Sequence, residues 1–216
     1  MRVLAILAAV CVTAASVSSC GSGATAPKTF CDSACIKDTM KFAGTHKSKP
    51  IVYISAANCK PDTITWSYDG MESSRKTKFE YPASVTVNKD FFRVLFNENK
   101  YAYILYNDCA TGRGFQIKLP YDKKENFVMK SSGINNIDKK FVVADNLVVN
   151  TDRGNIYVED MNTGKKAMMT FGQKLEIDYD AIHDYIDSVN ITDTKIWTKV
   201  KVGDKWEVKE KAIVLE

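Results

Sequence analysis

Cysteine is the residue type whose chemistry is easiest to place in this 216-residue chain. Four of its cysteines, Cys31, Cys35, Cys59 and Cys109, lie beyond residue 30. An even number in an oxidising compartment indicates disulfides, with three possible pairings. The apolar spacing of the segment Asp32 to Phe42 predicts a short N-terminal helix. On this helix the side chains of Cys31 and Cys35 would point in parallel, which is a strained geometry for a disulfide between them. We therefore expect each of them to pair with a distant cysteine.

The same side chains suggest a second chemistry, a thiol or copper site made from Cys31, Cys35 and His46. Copper-handling lipoproteins with a C-x-x-x-C motif carry it on a thioredoxin-like fold and follow it with proline. Here Ile36 follows the motif, and no β-α-β pattern surrounds it. Disulfides are therefore the first interpretation, and a thiol- or metal-handling protein is the alternative.

A cluster of acidic residues and one histidine forms one face of a second short helix, predicted near 180–189. Its members are Asp180, His183, Asp184 and Asp187. An acid–base or metal site is one interpretation, because the histidine lies within a turn of two carboxylates. The other is a solvated helix face with acidic residues near its positive N-terminal end. We predict no metal here.

Motifs of known catalytic machinery are scarce. The chain has two histidines, and it lacks G-x-S-x-G, H-E-x-x-H and a glycine-rich phosphate loop. Aspartates and tyrosines could still serve an envelope hydrolase, but no pair stands out by its spacing. We predict no catalytic residues and no cofactor, and the hydrolase is a second alternative.

The first twenty residues predict export and anchoring. Arg2 precedes an apolar run, Val3 to Val12, that is typical of a secretory signal and too short to span a bilayer. The sequence Val17-Ser18-Ser19-Cys20 then resembles the lipobox of bacterial lipoproteins. That resemblance implies removal of residues 1–19 and lipidation of Cys20, which would become the mature N-terminus. Cys11 fits less well, because the bulky Val10 precedes it.

The alternative to lipidation is ordinary secretion, with cleavage near Val12-Thr13-Ala14. The lipoprotein interpretation divides the chain into a signal peptide (1–19), a lipidated tether (20–29) and a single β-rich domain (30–216). Gly21 and Ser22 follow the cysteine, where an aspartate would favour inner-membrane retention. The predicted location is the bacterial cell envelope. The lipid anchor is expected in the outer membrane, with the protein domain facing the periplasm.

The charge balance gives little indication of a charged partner. The chain has 30 basic and 26 acidic residues, and loss of the signal would remove only Arg2. A charge this close to neutral does not indicate nucleic acid. The expected partners are the membrane, through the lipid anchor, and an envelope protein or glycan.

From Pro50 onward the apolar residues alternate with period two, which predicts short antiparallel strands. Asp108 to Arg113 and Asp160 to Lys165 both have the sequence D-x-x-T-G-[RK]. A three-residue loop ending in glycine would place Leu105 opposite Ile117, and the second copy would follow the same rule. The repeated hairpin resembles the blades of β-propellers.

The predicted fold class is therefore mainly β, with antiparallel meander sheets in a propeller-like or sandwich arrangement and two short helices. A break is expected near Ser131-Ser132-Gly133. In the C-terminal hairpin, the loop Gly203 to Lys205 would pair Val202 with Trp206, so that the apolar faces align.

Three aromatic residues are the ligand-binding candidates, namely Trp197, Trp66 and Tyr68. The last two share a strand face with Ile64 and are expected mostly inside. Trp197 shares its face with lysines and is expected to be exposed. The predicted function is that of a lipid-anchored, non-enzymatic binding or scaffolding module of unknown ligand.

Overall fold

The structure, a computed structural model, describes residues 29–98, 100–170 and 182–216. The predicted signal peptide, Cys20 and Asp180 lie outside the described residues. This described part of the chain is mainly β, with its strands in three sheets of four, seven and four strands. The predicted fold class is confirmed, and the layering of the sheets corresponds to its sandwich form.

The first sheet is an antiparallel meander in the order β1-β2-β3-β4. Its strands are β1 (Met40–Ala43), β2 (Ile51–Ala57), β3 (Lys60–Ser67) and β4 (Arg75–Lys78). Asn58 and Cys59 form the two-residue turn between β2 and β3, and both have positive φ angles, 51° and 65°. Two such residues in succession are the requirement of a tight type I′ hairpin.

The second sheet is central and curled, with the strand order β12-β11-β10-β8-β7-β6-β5. Its strands are β5 (Phe92–Asn97), β6 (Tyr101–Asn107), β7 (Gly114–Pro120), β8 (Val128–Ile134), β10 (Leu147–Asp152), β11 (Asn155–Asp160) and β12 (Lys166–Met169). A short 3-10 helix, Lys89–Phe91, precedes β5.

The expected break near Ser131-Ser132-Gly133 is wrong, because β8 runs through these residues and joins β7 to β10. The small side chains serve a close approach of two backbones rather than a turn. A Cβ atom on Gly114 would collide with the carbonyl oxygen of Gly133. The pairing of β7 with β8 therefore depends on glycine at that contact.

The third sheet has the order β15-β14-β13-β9. Its strands are β9 (Phe141–Val143), β13 (Ile186–Ile191), β14 (Lys195–Val202) and β15 (Lys205–Ala212). β13 and β9 run parallel, which the prediction of antiparallel sheets did not include. β9 thus takes the chain from the central sheet into the third sheet.

Helices are nearly absent from the described residues. The N-terminal helix predicted over Asp32 to Phe42 is not formed, since residues 32–37 are irregular and β1 begins at Met40. The helix predicted near 180–189 is one turn, α1 (Ile182–Tyr185), and β13 begins at Ile186. No helix within the described ranges is long and apolar enough to cross a membrane.

Two disulfides explain why the N-terminal segment is extended. Cys31 is bonded to Cys109, and Cys35 to Cys59, so each N-terminal cysteine is joined to a distant one, the pattern that the sequence analysis favours. The carbonyl oxygen of Cys109 also accepts hydrogen bonds from the backbone N–H groups of Phe30 and Cys31. These tertiary bonds replace the local helix that the spacing predicted.

Both smaller sheets pack against the same face of the central sheet. The first sheet covers β5 to β7, with Trp66, Ile104 and Phe115 fully buried between the layers. The third sheet covers β10 to β12, with Phe141, Val149, Ile156 and Ile196 buried in a second core. Among the described residues, no layer of strands covers the opposite face of the central sheet.

Both D-x-x-T-G-[RK] hairpins lie in the central sheet, and the predicted register is off by one residue. Ile104, rather than Leu105, pairs with Ile117, because the loop contains four residues instead of three. The Asp108 carboxylate accepts hydrogen bonds from the Ala110 and Thr111 backbone and from the Thr111 hydroxyl, which stabilises the longer loop. The second copy shows the same shift, with Ile156 opposite Met169.

The C-terminal hairpin also differs from its predicted register. Val202 pairs with Lys205 rather than with Trp206, so the loop is the two-residue turn Gly203-Asp204. Gly203 has a φ of 60°, which a glycine adopts without strain at the first position of such a turn. As a consequence, Trp206 and Val208 lie on the outer face of the sheet instead of facing the core.

A candidate ligand-binding cleft

The uncovered face of the central sheet carries polar side chains from strands that are far apart in sequence. Alternation within each strand sends apolar residues to the covered face and their neighbours to the open one. The pairs on the open face are Tyr103 with Lys118, Leu105 with Gln116, Val148 with Glu159 and Asn150 with Tyr157. Because the sheet is curled, these side chains converge.

The side chains on this open face line a cleft of about 250 Å³. Its lining residues are Tyr103, Gln116, Lys118, Val128, Lys130, Val148, Asn150, Tyr157, Val158, Glu159 and Lys166. The volume lies below the range of about 300 to 1,000 Å³ that is typical of pockets for drug-sized ligands. The cleft therefore suits a ligand with the size of a single small ring.

Two amide side chains form the floor of the cleft together with Val148. The Asn150 Oδ1 atom accepts hydrogen bonds from Gln116 Nε2, at 3.3 Å, and from Lys130 Nζ, at 3.2 Å. The ammonium group requires an oxygen at this point, so Gln116 must present its NH₂ group to Asn150. Gln116 Oε1 is consequently left without a hydrogen-bond partner, although this residue is only 2% exposed.

One wall of the cleft is an ion-pair network around the nearly buried Glu159. Lys118 Nζ lies 3.7 Å from Glu159 Oε1, and Lys166 Nζ lies 3.6 Å from Oε2. The Tyr103 hydroxyl donates a hydrogen bond to Oε2 at 3.3 Å. Lys118 also lies 3.8 Å from the centre of the Tyr101 ring. This network fixes the carboxylate and one ammonium group in defined positions.

The electrostatics of the cleft affect Tyr103 in its lining and the adjacent Tyr101. Burial, together with the neighbouring Glu159 carboxylate, raises the pKa of Tyr103 well above its ordinary value. The same two causes raise the pKa of Tyr101. Neither phenol loses its proton near neutral pH, so the Tyr103 hydroxyl is a permanent donor to Glu159. Three lysines face one carboxylate, which leaves the cleft with a net positive charge.

The aromatic residues singled out from the sequence lie elsewhere. Trp66 is 1% exposed, and its indole N–H donates a hydrogen bond to the Pro120 carbonyl oxygen at 2.8 Å. Tyr68 is partly buried and makes an edge contact with Tyr121, with 5.2 Å between ring centres. Trp197 is half-buried on the outer face of the third sheet. The structure therefore does not bring these three together in one site.

The most exposed tryptophan is Trp206, at 45%, which the sequence analysis placed against the core. It lies on the outer face of the third sheet with Val208 and Val142, each 57% exposed. The Lys199 ammonium group lies 5.8 Å from the centre of the Trp206 ring. The outer face of the third sheet, which the sequence analysis expected to be lined by lysines around Trp197, thus also carries the apolar side chains of Trp206, Val208 and Val142.

The cysteines and the histidine of the alternative site are engaged otherwise. All four cysteines beyond residue 30 are in disulfides. His46 Nδ1 is hydrogen-bonded to the Ser48 hydroxyl at 2.7 Å. Asp187 forms an ion pair with Lys199 at 3.2 Å. Within the described part of the chain, no group of three or more histidine, cysteine or acidic residues is arranged to hold a metal ion.

Sequence reasoning missed every polar residue of the cleft. A signal was present within single strands, because Gln116 and Lys118 alternate with apolar residues on β7, as Tyr157 and Glu159 do on β11. Only the strand order brings these two strands to one surface, since β8 and β10 lie between them.

Comparison of the chain with protein-family models, with curated protein sequences and with solved structures found no match. The geometry of the cleft is therefore the main structural indication of function.

Proposed function

We propose that this chain is a lipid-anchored protein of the bacterial cell envelope that binds a small ligand in the cleft without transforming it. In this proposal residues 1–19 are a signal peptide, Cys20 carries the lipid, and residues 20–29 tether the β-rich domain. The lipobox-like sequence supports the anchor. The cleft supports the binding role.

The observation that carries the binding role is the buried, unpartnered oxygen of Gln116. Leaving a buried polar atom without a hydrogen bond costs about 1–3 kcal/mol of stability. Gln116 Oε1 is one of several such atoms among the described residues, and Glu159 Oε1 in the same cleft is another, so the cleft holds two buried oxygens that could accept a hydrogen bond from a ligand. A ligand donor would satisfy Gln116 Oε1 when bound, once the surrounding side chains shift to admit it, because the atom has almost no exposed surface in the free protein.

The composition of the cleft favours binding over hydrolysis. Glycoside hydrolysis typically uses two carboxyl groups on either side of the scissile bond. Glu159 is the one carboxylate among the lining residues, and it is engaged by Lys118, Lys166 and Tyr103. The disulfide-bonded state of Cys31 and Cys35 likewise gives no support to thiol or metal handling.

The binding role is tested with Gln116→Met in the full-length, lipidated protein in detergent micelles. Methionine keeps the volume and removes the unpartnered acceptor, but it also loses one hydrogen bond to Asn150 worth about 0.5–1.5 kcal/mol. We expect the variant to be as stable as the wild-type protein or more stable. Thermal melting is then measured with a panel of neutral sugars, acidic sugars, amino acids and short peptides.

At least one class should raise the melting temperature of the wild-type protein and fail to raise that of Gln116→Met. A panel without any effect, or equal effects on both proteins, would contradict the binding role. The anchor is tested separately by detergent-phase partitioning. Cys20→Ala should move the protein into the aqueous phase, whereas the control Cys11→Ala should not, because stable membrane attachment requires the acyl chains.

A further inference from the structure

We infer that the ligand of the cleft is an acidic sugar, a monosaccharide-sized ring that carries one carboxylate, either free or at the end of a glycan. This inference rests on the proposed binding function and names the ligand class of the same site. It follows from the charges, the hydrogen-bonding groups and the size of the cleft.

The charge of the cleft requires an anion. Lys118 and Lys166 share the Glu159 carboxylate, whereas Lys130 has no carboxylate partner among the described residues. Its ammonium group is held by the Asn150 amide oxygen and lies 6.0 Å from the centre of the Tyr157 ring. A ligand carboxylate bound to Lys130 would form a charge-assisted hydrogen bond and reduce the positive charge of the cleft.

The hydrogen-bonding groups require hydroxyls on the same ligand. Gln116 Oε1 needs a donor, and a carboxylate or a neutral hydrocarbon offers none. The donor must lie close to the carboxylate, because Gln116 and Lys130 share the acceptor Asn150 Oδ1. A hydroxyl on a ring carbon near the carboxylate meets both requirements at once.

The same arrangement disfavours the common alternatives. An α-amino acid or a peptide N-terminus would bring an ammonium group toward three lysines. Glu159 Oε1 has no hydrogen-bond partner, but the charge of this carboxylate is already balanced by Lys118 and Lys166 within 4 Å. A neutral sugar would leave Lys130 without an anionic partner. The volume of about 250 Å³ disfavours larger ligands.

The apolar part of the cleft suits the body of a sugar ring. Val148 is buried in the floor, and Tyr157 is partly exposed at the rim. The C–H groups on one face of a sugar ring can pack against an aromatic ring, and Tyr157 supplies such a ring at the rim of the cleft. The cleft thus offers one charged, one polar and one apolar contact to one small ring.

The test is calorimetric titration of the full-length, lipidated protein in detergent micelles with glucuronate, galacturonate and mannuronate. Glucose, galactose, mannose and acetate are titrated in parallel. We expect at least one hexuronate to bind about tenfold or more tightly than its neutral hexose, as one charge-assisted hydrogen bond implies. Acetate should bind more weakly than the hexuronate, because it lacks the donor for Gln116. The hexuronate affinity should also fall as salt is added.

Two lysine variants separate the cleft from general surface charge. Lys130→Met should weaken hexuronate binding about tenfold or more and leave hexose binding nearly unchanged. The control Lys76→Met removes an exposed lysine from β4 of the first sheet and should change neither. Thermal melting of both variants without ligand checks that they are folded.

Equal affinity for a hexuronate and its hexose, or no effect of Lys130→Met, would overturn the acidic-sugar inference. If Gln116→Met still abolishes stabilisation by another class of the panel, the binding function stands and only the ligand class is wrong. If no class responds to Gln116→Met, both proposals fail.

Discussion

The two disulfides should contribute unequally to stability, and their loop lengths predict by how much. The Cys31–Cys109 bridge closes a sequence separation of 78 residues, and the Cys35–Cys59 bridge closes 24. A cross-link stabilises the native state mainly because it lowers the conformational entropy of the unfolded chain, and this effect grows with loop length.

The chain-entropy relation gives about 4.5 kcal/mol for the longer loop and about 3.5 kcal/mol for the shorter one. Packing increases the difference, because Cys109 is buried whereas Cys35 and Cys59 are exposed. The double variant Cys31→Ala/Cys109→Ala should therefore lose at least about 1 kcal/mol more free energy of unfolding than Cys35→Ala/Cys59→Ala. Typical domains have about 5–15 kcal/mol in total, so the first loss is severe.

Urea denaturation followed by tryptophan fluorescence measures these differences, with the oxidised wild-type protein as the common reference. The reduced wild-type protein is the control, and it should be less stable than either double variant. The loop-length reasoning is refuted if the Cys35→Ala/Cys59→Ala variant loses as much as the other, or more.

Three further predictions concern single positions. Burial alone would raise the pKa of Asp108, but hydrogen bonds from neighbouring backbone and hydroxyl groups outweigh it and hold the pKa below its ordinary value. The ionised Asp108 carboxylate therefore stabilises the folded state at pH values above its unfolded pKa of about 3.9, and this stabilisation is lost as the pH falls through the lower folded pKa. In urea denaturation, Asp108→Asn should be less stable than the wild-type protein at pH 7, and this difference should shrink at about pH 2–3. Gly114→Ala should greatly lower the melting temperature, because its Cβ would collide with the Gly133 carbonyl oxygen. Gly70→Ala meets no neighbouring atom within 4 Å but must adopt a φ of 94°, so its cost should be limited to about 1–3 kcal/mol of backbone strain; equal losses would contradict this. In single-tryptophan variants, iodide should quench Trp206 strongly and Trp66 hardly at all, and the reverse order would show that the outer face of the third sheet is misassigned.

The fold class could be predicted because apolar alternation is a local signal that survives in each strand. The two D-x-x-T-G-[RK] motifs fall between paired strands as predicted, one directly after β6 and the other beginning at the last residue of β11. What failed was the count of loop residues. One residue more in the Asp108 loop, and one fewer in the Gly203 loop, moves every cross-strand pair by one position.

The remaining errors have a common physical cause, which is that tertiary contacts override local preference. Residues 32–42 have helical spacing, but two disulfides hold the segment against distant strands. Ser131 to Gly133 resembles a turn, yet it continues a strand because Gly133 meets Gly114. The cleft could not be predicted for the same reason, since its residues meet only once the order of the seven strands is known.

The bond between Cys31 and Cys109 also determines how the domain would respond to mechanical force. A pull on the chain ahead of residue 31 would enter the fold through a covalent bond to the loop between β6 and β7 in the central sheet. β1, a four-residue edge strand, would therefore not be peeled away first. If the chain were held from its N-terminal side, the load would bypass the edge strand β1 and enter the central sheet directly.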